Sequence, residues 1–150
     1  MENFAAGIVP YIIIDGDIYF LLGLELSNNK WSGFIGKSQE NETITQTALR
    51  EFNEETASVF HEYQETIISE LNKTLPKIDT SSTGKNVYIY FLQFPEQSQE
   101  LIKNFMNAKV KLIEEYYHEK GILKWFSLND IKKSNRILYR LKQMILTHFG

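Results

Sequence analysis

Four charged side chains surround a single large apolar one in Arg50-Glu51-Phe52-Asn53-Glu54-Glu55. Residues three and four apart share a helix face. A helix over Thr43 to Thr56 therefore gathers Glu51, Glu54 and Glu55 on one stripe, while Ile44, Ala48, Leu49 and Phe52 offer apolar surface on the other side. Arg50 precedes Glu54 by four positions, the spacing at which it braces that carboxylate. Like charges so placed oppose an isolated helix. Two readings follow: an acidic face left in water because the other face is buried, or a carboxylate stripe that works with cations. Hard oxygen ligands of this kind suit Mg²⁺ or Mn²⁺.

The residues upstream favour the second reading. Gly36 comes six residues before Glu42, and Glu42 eight before Arg50. A loop with Gly33 and Gly36, where backbone can approach a ligand closely, thus delivers the chain to the helix. Thr43 is placed to cap it. Trp31 and Phe34 are read as anchors of the loop, with a substrate platform as the alternative. Lys37 is assigned to a substrate phosphate, with a solvent role as the alternative.

The stretch from Gly36 to Ser58 resembles the Nudix box, the signature of the Nudix (MutT-like) hydrolases. That pattern is glycine, five residues, glutamate, seven residues, arginine-glutamate, a bulky apolar residue, any residue, two glutamates, any residue, glycine and an apolar residue. Gly36, Glu42, Arg50, Glu51, Phe52, Glu54 and Glu55 fall on it. Two positions depart: Ala57 replaces the final glycine and Ser58 the apolar residue after it. Ala57 resists positive φ, so a shifted helix end is expected, with Val59 supplying the apolar contact. Ile35-Gly36-Lys37 stands where many members carry Gly-Gly-Lys, and Gln39 at a frequently acidic position.

The resemblance implies an α/β fold, a single Nudix α/β/α sandwich with a mixed β-sheet over residues 1–150. It implies hydrolysis of a phosphoanhydride in a nucleoside diphosphate linked to another group, with Mg²⁺ (or Mn²⁺) as cofactor. Glu51, Glu54 and Glu55 would hold the metal, joined by the backbone carbonyl at Gly36, and Arg50 would restrain the carboxylates. Glu42 would hold the loop and box geometry. Residues 119–128, EKGILKWFSL, resemble a second family feature, an aromatic strand leading into Ser-Leu and a short helix. Some members carry a metal-contacting or catalytic glutamate six residues before its tryptophan. Glu119 holds that place before Trp125, with Glu114 and Glu115 close by. Glu54 or Glu119 would orient or deprotonate the attacking water.

Composition narrows the setting. A chain of 150 residues fits one domain. It has no cysteine, which excludes a disulfide scaffold and any cysteine-based zinc site or nucleophile. The N-terminus lacks a basic leader, and no apolar run approaches the ~20 residues that span a bilayer. A cytoplasmic protein without a membrane partner is the expectation. Net charge is −3, unevenly spread. Residues 1–119 hold nine basic against eighteen acidic residues, and residues 120–150 hold seven basic residues against Asp130. That basic end could meet a phosphate-rich ligand or simply be a solvated helix face.

Along the chain, Phe4 to Ile14 and Ile18 to Leu26 read as a hairpin about Asp15-Gly16-Asp17. Val59 to Ile68 has strand-like segments, with His61 read as a surface or structural histidine. Glu70 to Ser82 reads as loop broken by Pro76, and Val87 to Phe94 as the clearest strand. Ser98 to His118 has helical periodicity. Leu128 to Lys133 and Asn135 to Phe149 read as helices, the latter turning Ile137, Leu138, Leu141, Ile145 and Leu146 inward. Three functions compete: a small-nucleotide pyrophosphohydrolase acting on a nucleoside triphosphate, dinucleoside polyphosphate or nucleotide sugar; an enzyme of RNA 5′ caps or 5′-triphosphates; and a nucleotide-binding module without chemistry. The complete Arg50–Glu55 core argues against the third.

Overall fold

The structure, a computed structural model, describes residues 3–80, 83–104 and 120–150. Its centre is β1 (Ala5–Ile14), an apolar strand buried over most of its length. Antiparallel β2 (Asp17–Glu25) pairs with the second half of β1, from Tyr11 to Ile14. On the same edge β4 (Phe34–Lys37) pairs with the first half, Ala5 to Ile8. Pro10, which has no N–H, falls in the gap between those two ladders. The other edge of β1 takes β6 (Asn86–Gln93) in parallel, and β5 (Lys77–Thr80) extends the sheet antiparallel to β6. Short β3 (Trp31–Ser32) and β7 (Lys120–Ser127) flank β2. The sheet is mixed, as expected.

Helices cover both faces. On one lie α1 (Ile44–Glu55) and α2 (Gln64–Lys73), over a core of Ile8, Ile12, Leu21, Phe34, Phe52, Phe60, Ile67 and Leu71. On the other lie α3 (Leu128–Lys133) and α4 (Tyr139–Phe149), over Val9, Phe20, Leu22, Phe91, Phe126, Ile131 and Ile145. This is the α/β/α sandwich. The two cores follow from the period of two along each strand: Leu21 faces α1, while Phe20 and Leu22 face α4. The first core is aromatic around Phe52, whose ring meets Phe34 and Phe60 at 5.5 Å and Phe94 at 5.8 Å between centroids. Those edge and tilted contacts fix the rotation of α1 on the sheet.

Five expectations need correction. The stretch with Gly33 and Gly36 is not a loop, since Gly33 only separates β3 from β4 and Gly36 pairs with Ala6 in the sheet. Val59 to Ile68 is not strand: His61–Tyr63 form a 3₁₀ turn that leads into α2. The four-residue step from Ile67 to Leu71, both buried, outweighs the local alternation. Glu70 to Ser82 is not all loop, because it holds the end of α2 and then β5, which starts directly after Pro76. A proline is harmless just before an edge strand. Helix α4 starts at Tyr139 rather than Asn135, since Ile137 bridges to Trp31 and the Leu138 amide donates to the Trp31 carbonyl at 2.9 Å. The helix end at Ala57 is not shifted. Ala57 and Ser58 both take positive φ, 52° and 57°, directly after the Thr56 cap. The Ser58 amide then reaches the Asn53 carbonyl at 2.9 Å, and Val59 packs on the core as expected. A left-handed alanine costs about 1–2 kcal/mol, which this capping bond and the buried Ala57 methyl offset. Of Ser98 to His118, the start belongs to a 3₁₀ helix, Glu96–Asn104, and the remainder lies outside the described residues.

Candidate active site

The cap that starts α1 also shapes the site. Thr43 Oγ1 accepts the Gln46 amide at 3.2 Å, and Gln46 Oε1 accepts the Thr43 amide at 2.9 Å. This closed box sets Glu42 just outside the first turn. The Glu42 carboxylate accepts four bonds: from the Gln39 amide at 2.8 Å, Thr47 Oγ1 at 2.9 Å, Arg50 Nε at 2.7 Å and Arg50 Nη2 at 3.0 Å. The paired guanidinium, followed by Gln39 and Thr47, holds its pKa down to about 2. In return the guanidinium keeps its proton still more firmly than usual, through Glu42 first and Glu51 next.

Arg50 joins the whole arrangement. Nη1 donates to Glu51 Oε1 at 2.9 Å and Glu54 Oε2 at 3.3 Å, and Nη2 donates to the Lys37 carbonyl at 2.9 Å. One guanidinium therefore locks the β4 exit, the pre-helix carboxylate and two helix carboxylates, using its rigid fork. Gly36 lies against this cluster, where a Cβ would overlap the Glu51 carboxylate. The glycine is required by close approach. Burial and the neighbouring Glu51 charge push the Glu54 carboxyl above the usual range, while Arg50 opposes them.

Glu55 has a different setting. It lies three residues beyond Phe52 and seven beyond Ala48, on the packed side of α1, and it is 2% exposed. Its Oε1 is 3.5 Å from Lys120 Nζ. The Lys120 ammonium is equally buried, hydrogen-bonds Ser32 Oγ, reaches Glu25 Oε2 at 3.5 Å, and lies 5.8 Å from the centre of the Phe34 ring. Glu25, Leu26, Ser27, Ile35, Glu55 and Lys120 line a cleft of ≈340 Å³.

The structure thus brings Gly36, Arg50, Glu51 and Glu54 together and places Glu55 with Lys120. The Lys37 side chain is exposed, as is His61. Glu119, Glu114 and Glu115 lie outside the described residues. Among the described residues no three Asp, Glu or His side chains form a group able to hold a metal ion. A divalent ion still fits the chemistry of the donors. Glu51 and Glu54 are two carboxylates held against one guanidinium, their mutual repulsion only partly relieved. Mg²⁺ is commonly held by one or two carboxylates, with water and substrate phosphate completing the shell.

Lys120 escaped the sequence reading because a bulge turns it. Gly23 pairs with Leu123, but Glu25 pairs with Lys120, so β7 carries one extra residue there. Simple alternation from Leu123 and Trp125, which face α1, would send Lys120 to the other face. Gly23 on β2 leaves it room, since a Cβ there would come within 2.8 Å of Lys120 Cδ.

The NUDIX domain family model matches residues 11–145. The chain belongs to the Nudix family. An uncharacterized protein, L534, of Acanthamoeba polyphaga mimivirus is 36% identical over 63 residues, covering 38% of this chain and 20% of that protein. The chain therefore spans a small part of that relative's length. Solved structures share the fold. The C. elegans Ap4A hydrolase binary complex matches with a TM-score of 0.62 at 21% identity, covering 95% of this chain and 93% of that one. A NUDIX-family hydrolase from Clostridium perfringens gives 0.61 at 16% identity, covering 98% and 95%. The NUDIX domain of Shewanella oneidensis NrtR, complexed with ADP ribose, gives 0.59 at 17% identity, covering 97% and 85%. No helix among the described residues is long and apolar enough to cross a membrane.

Proposed function

We propose that this Nudix chain is a divalent-metal-dependent pyrophosphohydrolase. Its substrate would be a small nucleotide: a nucleoside triphosphate, a dinucleoside polyphosphate or a nucleotide sugar. The observation that carries the reading is the Arg50-braced pair Glu51 and Glu54, with the Glu51 carboxylate against Gly36. Relatives of the same fold described with Ap4A and with ADP ribose support this substrate class.

Glu51 and Glu54, with the Gly36 carbonyl, would hold Mg²⁺ or Mn²⁺. When bound, such an ion neutralises phosphate oxygens and acidifies water. The chain's own work is positioning and proton transfer. Arg50 holds both carboxylates at short range through Nη1 and fixes the end of β4 through the Lys37 carbonyl. Glu54 is our choice of general base, because its carboxylate, held by Arg50 beside Glu51, stands next to any water bound at that pair. The proton leaves the attacking water for Glu54 as the new oxygen–phosphorus bond forms and the anhydride bond breaks. Glu119 is the second candidate base. Lys37, exposed at the end of β4, is free to follow a phosphate.

The RNA reading leans on the basic end of the chain, and much of that charge is engaged elsewhere. Lys120 is buried, Arg140 pairs with Asp79 at 3.0 Å, and Lys142 donates to the Lys132 and Ser134 carbonyls. The reading is tested by a broad nucleotide screen with both products monitored, before and after chelation. Turnover should vanish with chelator and return with Mg²⁺ or Mn²⁺. Undiminished turnover in metal-free buffer would refute it.

A further inference from the structure

Lys120 has no role in the chemistry above, yet it is among the most completely buried side chains of the molecule. Burying an ammonium costs several kcal/mol unless it is fully paired. Here its pairing is built from three strands and one helix. Ser32 Oγ on β3 accepts its hydrogen bond, with Glu25 Oε2 on β2 and Glu55 Oε1 on α1 each 3.5 Å away. The Phe34 ring on β4 closes the remaining side. Two structural features exist around it. The bulge in β7 turns Lys120 toward α1, and Gly23 leaves room for its aliphatic stem. A side chain that needs a bulge and a glycine to reach its place is a built part of the site.

We infer that Lys120 is a resident cation of the carboxylate platform. It occupies the position at which a divalent ion would meet Glu55, and so leaves Glu51 and Glu54 as the metal-holding pair. The physical reason is charge. Glu51, Glu54 and Glu55 at helical spacing repel one another and need cations. Arg50 serves Glu51 and Glu54 on the open side, whose remaining carboxylate capacity is available to a metal. Lys120 serves Glu55 on the packed side, at the floor of the cleft. A divalent ion brought against Glu55 would face the ammonium directly, and that repulsion, in a site only 2% exposed, is barely screened. Lys120 is thus a positioning residue, acting through Glu55 and Glu25.

The inference rests on the metal-dependent reading above, and counting ions without turnover separates the two. Mn²⁺ is titrated into the substrate-free protein, and free ion is read by electron paramagnetic resonance. Wild type should bind about one Mn²⁺ per chain through the carboxylate pair. Lys120→Met should gain a further Mn²⁺, and Lys120→Met with Glu55→Gln should lose that gain. An unchanged count in folded Lys120→Met overturns the inference and leaves the hydrolase reading standing. No Mn²⁺ bound by wild type overturns both. Should Lys120→Met fail to fold, Glu55→Gln decides alone. Its Mn²⁺ affinity should stay within about 3-fold of wild type, whereas loss of a true ligand would cost at least the ~10–100-fold typical of an outer partner. A loss of that size overturns the inference.

Discussion

Arg50 and Lys120 hold the two sides of one acidic helix, and they do it by different physics. Arg50 works at the rim, with its side chain 21% exposed and its fork divided among Glu42, Glu51, Glu54 and a loop carbonyl. Lys120 works inside, 2% exposed, as a compact charge among Glu25, Glu55 and Ser32. The planar guanidinium fixes directions, so the carboxylates it holds keep defined orientations and open coordination sites. The ammonium fixes charge balance and little else. One side of α1 is therefore arranged for chemistry, and the other is arranged so that a buried glutamate can exist at all.

That contrast is open to attack, first at the rim. Glu54→Gln should cut turnover by at least ~10²-fold, the usual size of lost acid-base catalysis. The same variant should melt slightly higher than wild type without metal, since it removes the repulsion between Glu54 and Glu51. Near-normal turnover would end Glu54's role, and a lower melting point would show that its negative charge supports the fold. Gly36→Ala comes next. Its methyl overlaps the Glu51 carboxylate, so turnover should drop by about 10–10²-fold with the fold retained, the penalty of a small misplacement. Wild-type kinetics in that variant would show that the Glu51 position is not critical.

Acid probes the Arg50 side through stability. The Glu42 carboxyl is held at about 2 against an ordinary 4.5, so its contribution is complete above pH 4.5 and lost as pH falls towards 2. After screening at the solvent-exposed rim this amounts to about 1–2 kcal/mol. Urea unfolding of wild type and Glu42→Gln across that window should converge at low pH. Curves that stay parallel would place the acid sensitivity elsewhere. The smallest effect belongs to the far face. Neutralising Lys132, Lys133, Arg136 and Arg140 together should change kcat/KM for the best small substrate by less than about 10-fold, because surface charges act weakly at a distance. A preference for capped or 5′-triphosphorylated RNA that the variant loses, and that salt weakens, would move the protein to RNA processing.

How much of this was legible depended on distance along the chain. The partners of Arg50 lie one, four, eight and thirteen residues away, within reach of helical periodicity and one capped turn. The partners of Lys120 on β2 and β3 lie 95 and 88 residues away. Helix α2 departs from the local pattern for a related reason. Local alternation at Val59 to Tyr63 pointed one way, and burial of Ile67 and Leu71 against the sheet decided otherwise.

From sequence alone came the family, the mixed α/β/α architecture, the hairpin of β1 and β2, the cap at Thr43 and the bracing of Glu54 by Arg50. All of these rest on local spacing or on a contiguous pattern, which a chain carries with it wherever it packs. Tertiary structure alone decided that Glu55 meets Lys120, that Ala57 bends left-handed without moving the helix end, and that Lys120 leaves the basic end of the chain for the acidic site. One extra residue in β7 reverses the face of everything beyond it, because side chains in a strand alternate with a period of two. The register that makes this reversal belongs to two strands at once, and so neither strand's residues state it.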